Sequence, residues 1–191
     1  MHLALHGYAP IDFIKALIKA YPKALLKEDV EYKRLPLHYA CLHTPYPELI
    51  ELLLKHNRDA TFKANFDVRM PLHYAAFGCA HEYVFKQLVD INPQAAEKQD
   101  EQGWLPLHIA VRYNCSHGAI ESLANAYPQA LKEKPKKGKQ LPKDIAQKFH
   151  IQLDEKTSEL FDSSFRELRR RSSRLSDCPS PELLEIHGES V

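Results

Sequence analysis

The sequence lacks most of the features that mark enzymes, cofactor-binding proteins and membrane proteins. No apolar run is long enough to span a bilayer, and the N-terminus lacks the basic and then apolar pattern of a secretory signal. Only 6 of the 191 residues are Gly, and the sequence contains no glycine-rich phosphate loop, dinucleotide fingerprint or nucleophile motif. We therefore expect neither a cofactor nor an enzymatic activity.

Net charge and cysteine spacing give two further expectations. The formal net charge of +1 gives no reason to expect nucleic acid as the main partner. The four Cys form no CxxC pair, and we expect Cys41, Cys79 and Cys115 to be reduced and to act as small apolar residues. These features predict a soluble protein of the cytoplasm, with the nucleus as the alternative.

A six-residue block recurs along the chain at an almost constant interval. It begins at Leu35, Met70 and Leu105, which are 35 residues apart each time, and partial copies begin at His2 and Leu141. Proline stands second in each of the three full blocks, a position that suits the first turn of a helix because its missing N–H would have no partner there. The repeated positions are Pro36, Leu37, His38, Pro71, Leu72, His73, Pro106, Leu107 and His108.

The segments between these blocks have a helical pattern of their own. Apolar residues three or four positions apart, such as Ile14, Leu17 and Ile18, predict a second helix in each unit. A Tyr-Pro-x-Ala sequence follows it at Tyr21 and again at Tyr127. We expect each unit to contain a Pro-started inner helix, a short loop, an outer helix and an extended polar connector.

The Pro-Leu-His-x-Ala block at this period resembles the inner helix of ankyrin repeats, whose period is about 33 residues. The resemblance covers about residues 1–150, as a partial first repeat, three full repeats and a partial last repeat. It implies an all-α solenoid of helix-loop-helix units with short finger connectors. It also implies a non-enzymatic module or scaffold that binds a protein or peptide, for which we expect a monomer.

The sequence departs from the usual ankyrin pattern at two positions. The family usually has Thr before the Pro, donating a hydrogen bond toward the His, and this side-chain bond is absent here. The family's turn Gly is present at Gly103, but Lys33 and Val68 occupy the equivalent places. We expect the fingers that contain Lys33 and Val68 to be looser or differently shaped. The residues that replace Thr are Leu35, Met70, Leu105 and Leu141.

The two ends of the repeat array differ from its middle. Met1 falls inside the first inner helix, which indicates an unusual cap or a regulatory fragment of a larger enzyme, channel or signalling protein. Residues 151–176 are predicted to form a C-terminal capping helix, with a partner-binding helix as the alternative, and residues 177–191 a disordered tail. The helical stripe that supports the capping helix consists of Leu160, Phe161, Phe165, Leu168 and Leu175.

In ankyrin repeats, partners contact the finger tips and the concave face of the inner helices. In this sequence those positions are rich in aromatic residues and Arg, which are enriched in interface hot spots. The alternative is that some of the rings pack between the fingers. The predicted partner-binding residues are Tyr32, Arg34, Phe66, Asp67, Arg69, Phe77, Glu101, Trp104, Arg112 and Tyr113.

The repeated histidines do not suggest a metal site. With one His in each repeat, successive rings are expected about 10 Å apart, the distance between packed helices, which is too far for joint ligation of one ion. We expect these histidines to hydrogen-bond the backbone of the neighbouring turn.

Two basic runs have more than one interpretation. The lysines from Lys132 to Lys139 suit a solvated end of the stack, a nuclear-import signal or a nucleic-acid contact. Arg-rich residues 166–174 surround Ser172 and Ser173, which resemble substrates of basophilic kinases. We therefore regard Ser172 and Ser173 as candidate phosphorylation sites.

Overall fold

The computed structural model describes residues 1–6, 9–43, 46–135 and 140–163, except for the side chain of His6. Over these ranges the regular secondary structure is helical, which confirms the all-α prediction. None of the helices in these ranges is long and apolar enough to cross a membrane. The α-helices are α1 (His2–His6), α2 (Ile11–Ala20), α3 (Pro36–His43), α4 (Pro47–His56), α5 (Pro71–Phe77), α6 (Glu82–Ile91), α7 (Pro106–Arg112), α8 (His117–Ala126), α9 (Pro142–Lys148) and α10 (155–163).

The helices form two rows. The inner helices α1, α3, α5, α7 and α9 pack on one another in chain order, and the outer helices α4, α6 and α8 do the same. Each inner helix and the outer helix after it make one repeat, numbered here 1 to 5 from the N-terminus. The core lies between the rows, where large apolar side chains such as Leu72, Phe85, Leu107 and Ile120 are almost completely buried.

Buried histidines fasten the inner helices α3, α5 and α7 both to their own starts and to a backbone carbonyl in the connector that follows each repeat. In His73, Nδ1 accepts a hydrogen bond from the Met70 N–H at 3.1 Å, and Nε2 lies 3.3 Å from the Trp104 carbonyl oxygen. Because Nδ1 is an acceptor, Nε2 carries the proton and donates. His38 and His108 accept the same helix-start bond, but their Nε2 atoms face the Lys63 and Glu133 carbonyls, just after the 3₁₀ turns of their own repeats. All three histidines are fully buried. The backbone N–H thus supplies the helix-start bond to His that the missing Thr side chain cannot make.

A 3₁₀ turn follows each of the outer helices α2, α4, α6 and α8. The four turns are Pro22–Leu26, Arg58–Phe62, Pro93–Glu97 and Pro128–Leu131. The prediction of a wholly extended connector is therefore wrong over these residues, because Pro starts three of the turns and each turn buries an Ala or Leu side chain.

Asparagine ties two of the outer helices back to the preceding repeat. The Asn57 side-chain amide donates to the Leu25 carbonyl at 3.0 Å, and the Asn92 amide donates to the Thr61 carbonyl at 2.8 Å. The histidines reach forward along the chain and these asparagines reach backward. Repeats 2 and 3 are therefore each fixed to the repeat before them through a backbone carbonyl.

The fingers connect successive repeats. Each is closed by a backbone hydrogen bond, from Asn65 to Arg69 in the second finger and from Asp100 to Trp104 in the third. At the turn position Lys33, Val68 and Gly103 have φ values of 54°, 60° and 82°, all in the left-handed region. The backbone at this one position is therefore the same with Lys, Val or Gly, although a β-branched residue is strained there. The finger that contains Lys33 does differ in its closing bond, which runs from the Asp29 N–H to the Arg34 carbonyl, five residues on instead of four.

The last described helix closes the C-terminal end of the stack. In α10, Phe161 and Thr157 are buried, and the Thr157 hydroxyl lies 2.8 Å from Nδ1 of His117 in α8. Lys143 of α9 forms an ion pair with Asp162 of α10. Of the predicted capping helix at 151–176, residues 155–163 are helical and packed on α8 and α9, whereas residues 151–154 are not helical. Residues 164–176, which include Ser172 and Ser173, and the predicted tail lie outside the described residues.

Candidate protein-binding surface

The predicted partner-binding residues lie along one side of the stack, on the fingers and at the ends of inner helices α5 and α7. Their backbone is ordered by contacts between neighbouring fingers. The Phe66 N–H donates to the Tyr32 carbonyl at 2.9 Å, and the Glu101 N–H donates to the Asp67 carbonyl at 3.1 Å. The fingers therefore form a continuous edge on which the side chains have fixed relative positions.

Arg34 organises the N-terminal part of this surface. Its guanidinium carbon lies 4.2 Å from the ring centre of Tyr32 and 5.1 Å from that of Tyr74, which are cation–π distances. The Asp29 carboxylate accepts hydrogen bonds from the Tyr32 N–H and from the Tyr39 hydroxyl. Burial by itself raises the pKa of Asp29, but hydrogen bonds from the Tyr32 N–H, the Tyr39 hydroxyl and the Arg34 N–H outweigh it and lower that pKa.

Arg69 holds the middle of the surface through charged neighbours. Its Nε donates to the Asp100 carboxylate at 3.0 Å, and Nη1 lies 3.6 Å from the Asp67 carboxylate. The Asp100 side chain is almost fully buried, so this ion pair links two fingers. The Arg69 guanidinium also lies 4.9 Å from the Phe77 ring centre, and Phe77 meets Tyr113 edge-on at 5.4 Å.

Arg112 stands between two aromatic rings in the C-terminal part of the surface. Its guanidinium carbon lies 5.3 Å from the Trp104 ring centre and 4.8 Å from the Phe149 ring centre. Within the described part of the chain it contacts no carboxylate. A depression of about 190 Å³ lies beside it. The residues that line this depression include Arg69, Phe77, Asp100, Trp104, Arg112 and Tyr113.

Comparison with known families agrees with this geometry. The model for ankyrin repeats, in three copies, matches residues 37–132, which is just over half of the chain. The chain belongs to the ankyrin repeat family. Ankyrin repeats generally act as protein–protein interaction modules and are typically not enzymes. No curated protein matches this sequence.

The predicted residues differ in how far they are accessible on this ankyrin surface. Phe66, Tyr113 and Tyr32 expose 71%, 46% and 37% of their surface, and Arg112 and Glu101 are also exposed. The remaining five are half-buried and partly occupied by contacts within the protein. These half-buried residues are Arg34, Asp67, Arg69, Phe77 and Trp104.

Sequence reasoning missed several residues that shape the surface. Tyr39 and Tyr74 follow the repeated His, and Phe149 directly follows α9, yet all three place a ring against an Arg. Asp100 was missed as well, although it anchors Arg69. The signal for the tyrosines was available, because Tyr39 and Tyr74 are 35 residues apart and occupy the same repeat position as Ile109.

The remaining sequence-based candidates lie away from this surface or outside the described residues. Over the described ranges, no group of three or more His, Cys, Asp or Glu side chains could hold a metal ion. Burial lowers the pKa of His38 and of His73 to about 4, so both rings are neutral at pH 7. Of the lysine run, Lys132 and Lys134 are described, and Lys136, Lys137 and Lys139 are not.

Proposed function

We propose that this protein binds a partner protein or peptide along its fingers and inner helices, with Arg112, Tyr113 and Trp104 at the centre of the contact. Phe66 and Tyr32 extend the contact toward the N-terminus. The same residue types are enriched where binding energy is concentrated, since they combine large apolar area with directed polar groups. The partner lies on the side of the stack that carries the fingers.

One observation carries the proposal. Arg112 is exposed, is held between the rings of Trp104 and Phe149, and has no carboxylate neighbour within the described residues. A guanidinium that is already fixed by two rings loses little conformational entropy on binding. It can therefore donate a bidentate pair of hydrogen bonds to a partner carboxylate.

Arg69 contrasts with Arg112 within the same depression. Its donors are engaged by Asp100 and Asp67, so it acts chiefly in joining two fingers. Because one Arg is internally neutralised and the other is not, the depression favours a partner segment that places a single acidic group at Arg112. Apolar groups of that segment would lie on Tyr113 and Phe77.

The experiment selects peptides from a random library on the wild-type protein and then measures their affinities for variants. Changing both Arg112 and Tyr113 to Ser should weaken binding at least about tenfold, which corresponds to about 1.4 kcal/mol. Peptide affinity can be followed through the fluorescence of Trp104, the only Trp in the chain. Selected peptides should also be enriched in Asp or Glu.

The matched control lies on the outer helix α6. Tyr83 exposes 44% of its surface, close to the 46% of Tyr113, and Lys86 is an exposed cation one turn away. Changing both Tyr83 and Lys86 to Ser should leave the affinity for the peptides within about twofold of the wild-type value. The two double variants should have similar melting temperatures. Equal loss in both double variants, or no loss in the Arg112 and Tyr113 variant, would overturn the proposed surface.

A further inference from the structure

Two cysteines from neighbouring repeats meet at the ends of the inner helices. Cys79 follows α5 in repeat 3, and Cys115 follows α7 in repeat 4. Their Sγ atoms are 3.1 Å apart, and neither is in a disulfide. The Cys79 Sγ also lies 3.1 Å from the Tyr113 carbonyl oxygen, and the Cys115 Sγ lies 3.3 Å from the Ala76 carbonyl oxygen. Both thiols are therefore already fixed facing each other.

The two thiols differ in access and in acidity. Cys79 is exposed, whereas Cys115 exposes only 5% of its surface. The hydrogen bond from Cys115 lowers the pKa of Cys79 to about 7, against burial, which raises it. The same contact and burial raise the pKa of Cys115. At neutral pH the exposed sulfur is therefore the nucleophilic one.

The repeat frame does not require either thiol. The residue 35 positions after Cys79 is Asn114, which has the same left-handed backbone, with φ of 55° against 45°. The residue 35 positions before Cys115 is Ala80. Because Asn and Ala serve the neighbouring repeats at these places, the meeting of two cysteines is a property of this junction and not of the fold. The expectation that Cys79 acts as a small apolar residue is wrong, since it is exposed.

We propose that Cys79 and Cys115 form an oxidation site, at which a hydroperoxide converts the two thiols into a disulfide that joins repeats 3 and 4. The inference is independent of the proposed function. The bond would lie beside the Phe77 and Tyr113 rings, which meet at 5.4 Å. It would fix the relative position of the two repeats at that edge.

The reaction has two steps. The Cys79 thiolate attacks the terminal, hydrogen-bearing oxygen of the hydroperoxide and the O–O bond breaks. Cys79 becomes a sulfenic acid, and the other oxygen takes a proton and leaves as an alcohol, or as water from hydrogen peroxide. The Cys115 sulfur then attacks the Cys79 sulfur, so that the S–S bond forms and the S–O bond breaks. The hydroxide leaves as water with the Cys115 proton. Overall, two thiols lose two electrons and two protons, and the peroxide is reduced.

The test uses the full chain, reduced and then exposed to hydrogen peroxide near one equivalent. Free thiols should fall from four to two, the intact mass should fall by the two thiol hydrogens, and a non-reducing digest should contain a Cys79–Cys115 cross-linked peptide. The melting temperature of the oxidised protein should rise by about 5–10 °C, because the disulfide closes a loop of about 35 residues. A dithiol reductant should reverse both changes.

The control variants use the residues that the neighbouring repeats carry at these positions. In C115A, dimedone should trap a sulfenic acid on Cys79 and no intramolecular disulfide should form. In C79N, Cys115 should stay reduced. A C41A/C178S double variant should form the disulfide as the wild type does, and circular dichroism should show equal helicity in every variant.

Three results would overturn the site. The first is a wild-type protein that keeps all four thiols under these conditions. The second is a cross-link from Cys79 or Cys115 to Cys178 instead of to each other. The third is thiol loss in C115A at the wild-type rate without a trapped sulfenic acid.

Discussion

The inner helices α5 and α9 both begin with Pro as the second residue of the repeated six-residue block. The fourth residue of the block is His73 in α5 and Asp144 in α9. Both side chains accept a hydrogen bond from the first residue of the block, from the Met70 N–H in one case and the Leu141 N–H in the other, each at 3.1 Å. Only His73 has a second polar atom that reaches the Trp104 carbonyl of the next finger. The two helices therefore start alike, and within the described residues only His73 is also tied forward.

The comparison separates two tasks that one histidine performs. Capping the helix start needs only an acceptor, which a carboxylate supplies as well as an imidazole. Joining repeats needs an acceptor and a donor on opposite sides of a rigid, neutral ring, which Asp cannot supply. In the interior repeats the ring is fully buried, whereas Asp144 is half-buried. The buried histidines thus help to hold the interior repeats together.

The largest effect that tests this comparison is acid destabilisation of the interior. Burial lowers the pKa of His38 and of His73 from 6.5 to about 4. The unfolded chain therefore binds protons below pH 6.5 before the native state does. Stability from these two groups is complete above pH 6.5 and is lost as the pH falls toward 4. Protonation of His38 and His73 together should lower the free energy of unfolding by on the order of 5 kcal/mol between pH 6.5 and pH 4, which urea unfolding across this range measures.

The structural reason for this loss is specific. Protonation of Nδ1 would place an N–H donor opposite the Met70 N–H, so that the helix-start bond is replaced by a repulsive contact. His73→Asn should remove the part of the slope between pH 6.5 and 4 that His73 supplies, which is about half of what His38 and His73 give together. A stability that is flat over this pH range would contradict the neutral, buried histidines.

The next effect compares His73→Ala with Asp144→Ala at pH 7. His73→Ala leaves the buried Met70 N–H and Trp104 carbonyl without this partner and opens a cavity, so we expect a loss of about 3–4 kcal/mol in the free energy of unfolding. Asp144→Ala removes one partly exposed acceptor and should cost about 1 kcal/mol. Chemical denaturation of each variant gives both values.

A third variant separates the two tasks of His73. His73→Asn keeps an acceptor near the Met70 N–H, but its side chain is too short to serve the Trp104 carbonyl as well. Its stability should therefore lie between the wild type and His73→Ala. Equal losses for His73→Ala and Asp144→Ala would show that the forward bond contributes nothing.

The repeat frame could be predicted from sequence because it consists of contacts between equivalent positions. The 35-residue step from His38 to His73 to His108 predicts the inner helices, their order and the row of histidines that hydrogen-bond the backbone. The 3₁₀ turns were missed because their Pro and Ala residues are equally compatible with an extended connector. Whether these residues form a 3₁₀ turn or an extended connector is decided by the hydrogen bonds that the buried turn makes. Those hydrogen bonds depend on how the turn packs on the preceding repeat.

Contacts between non-equivalent positions were beyond the reach of repeat alignment. Cys79 and Cys115 are 36 residues apart, one more than the period, so each aligns with a residue other than Cys. Phe149 reaches Arg112 from the end of a helix in a different repeat. Such contacts depend on how far each side chain projects across the junction between two repeats. That distance is set by the backbone positions in the folded structure, which repeat alignment does not give.

The fingers offer a second comparison of equivalent positions and the smallest predicted effect. Different residues again occupy the same backbone conformation there. Val68 and Gly103 both have a left-handed backbone, with φ of 60° and 82°. A β-branched residue is strained there, so Val68→Gly should stabilise the protein by about 0.5–1 kcal/mol, after allowing for the greater freedom of Gly in the unfolded chain. Urea unfolding of the variant measures the change.

Two variants at the same finger position set the scale for this gain. Lys33→Gly should stabilise less than Val68→Gly, because Lys is unbranched at Cβ and is less strained at its φ of 54°. Gly103→Val should destabilise by about 1–2 kcal/mol, since it introduces the strain that Val68 carries. If Val68→Gly lowered stability instead, the Val68 side chain, which is half exposed, would have to contribute more through packing than its backbone costs. The finger sequence would then be selected for contact and not for turn geometry.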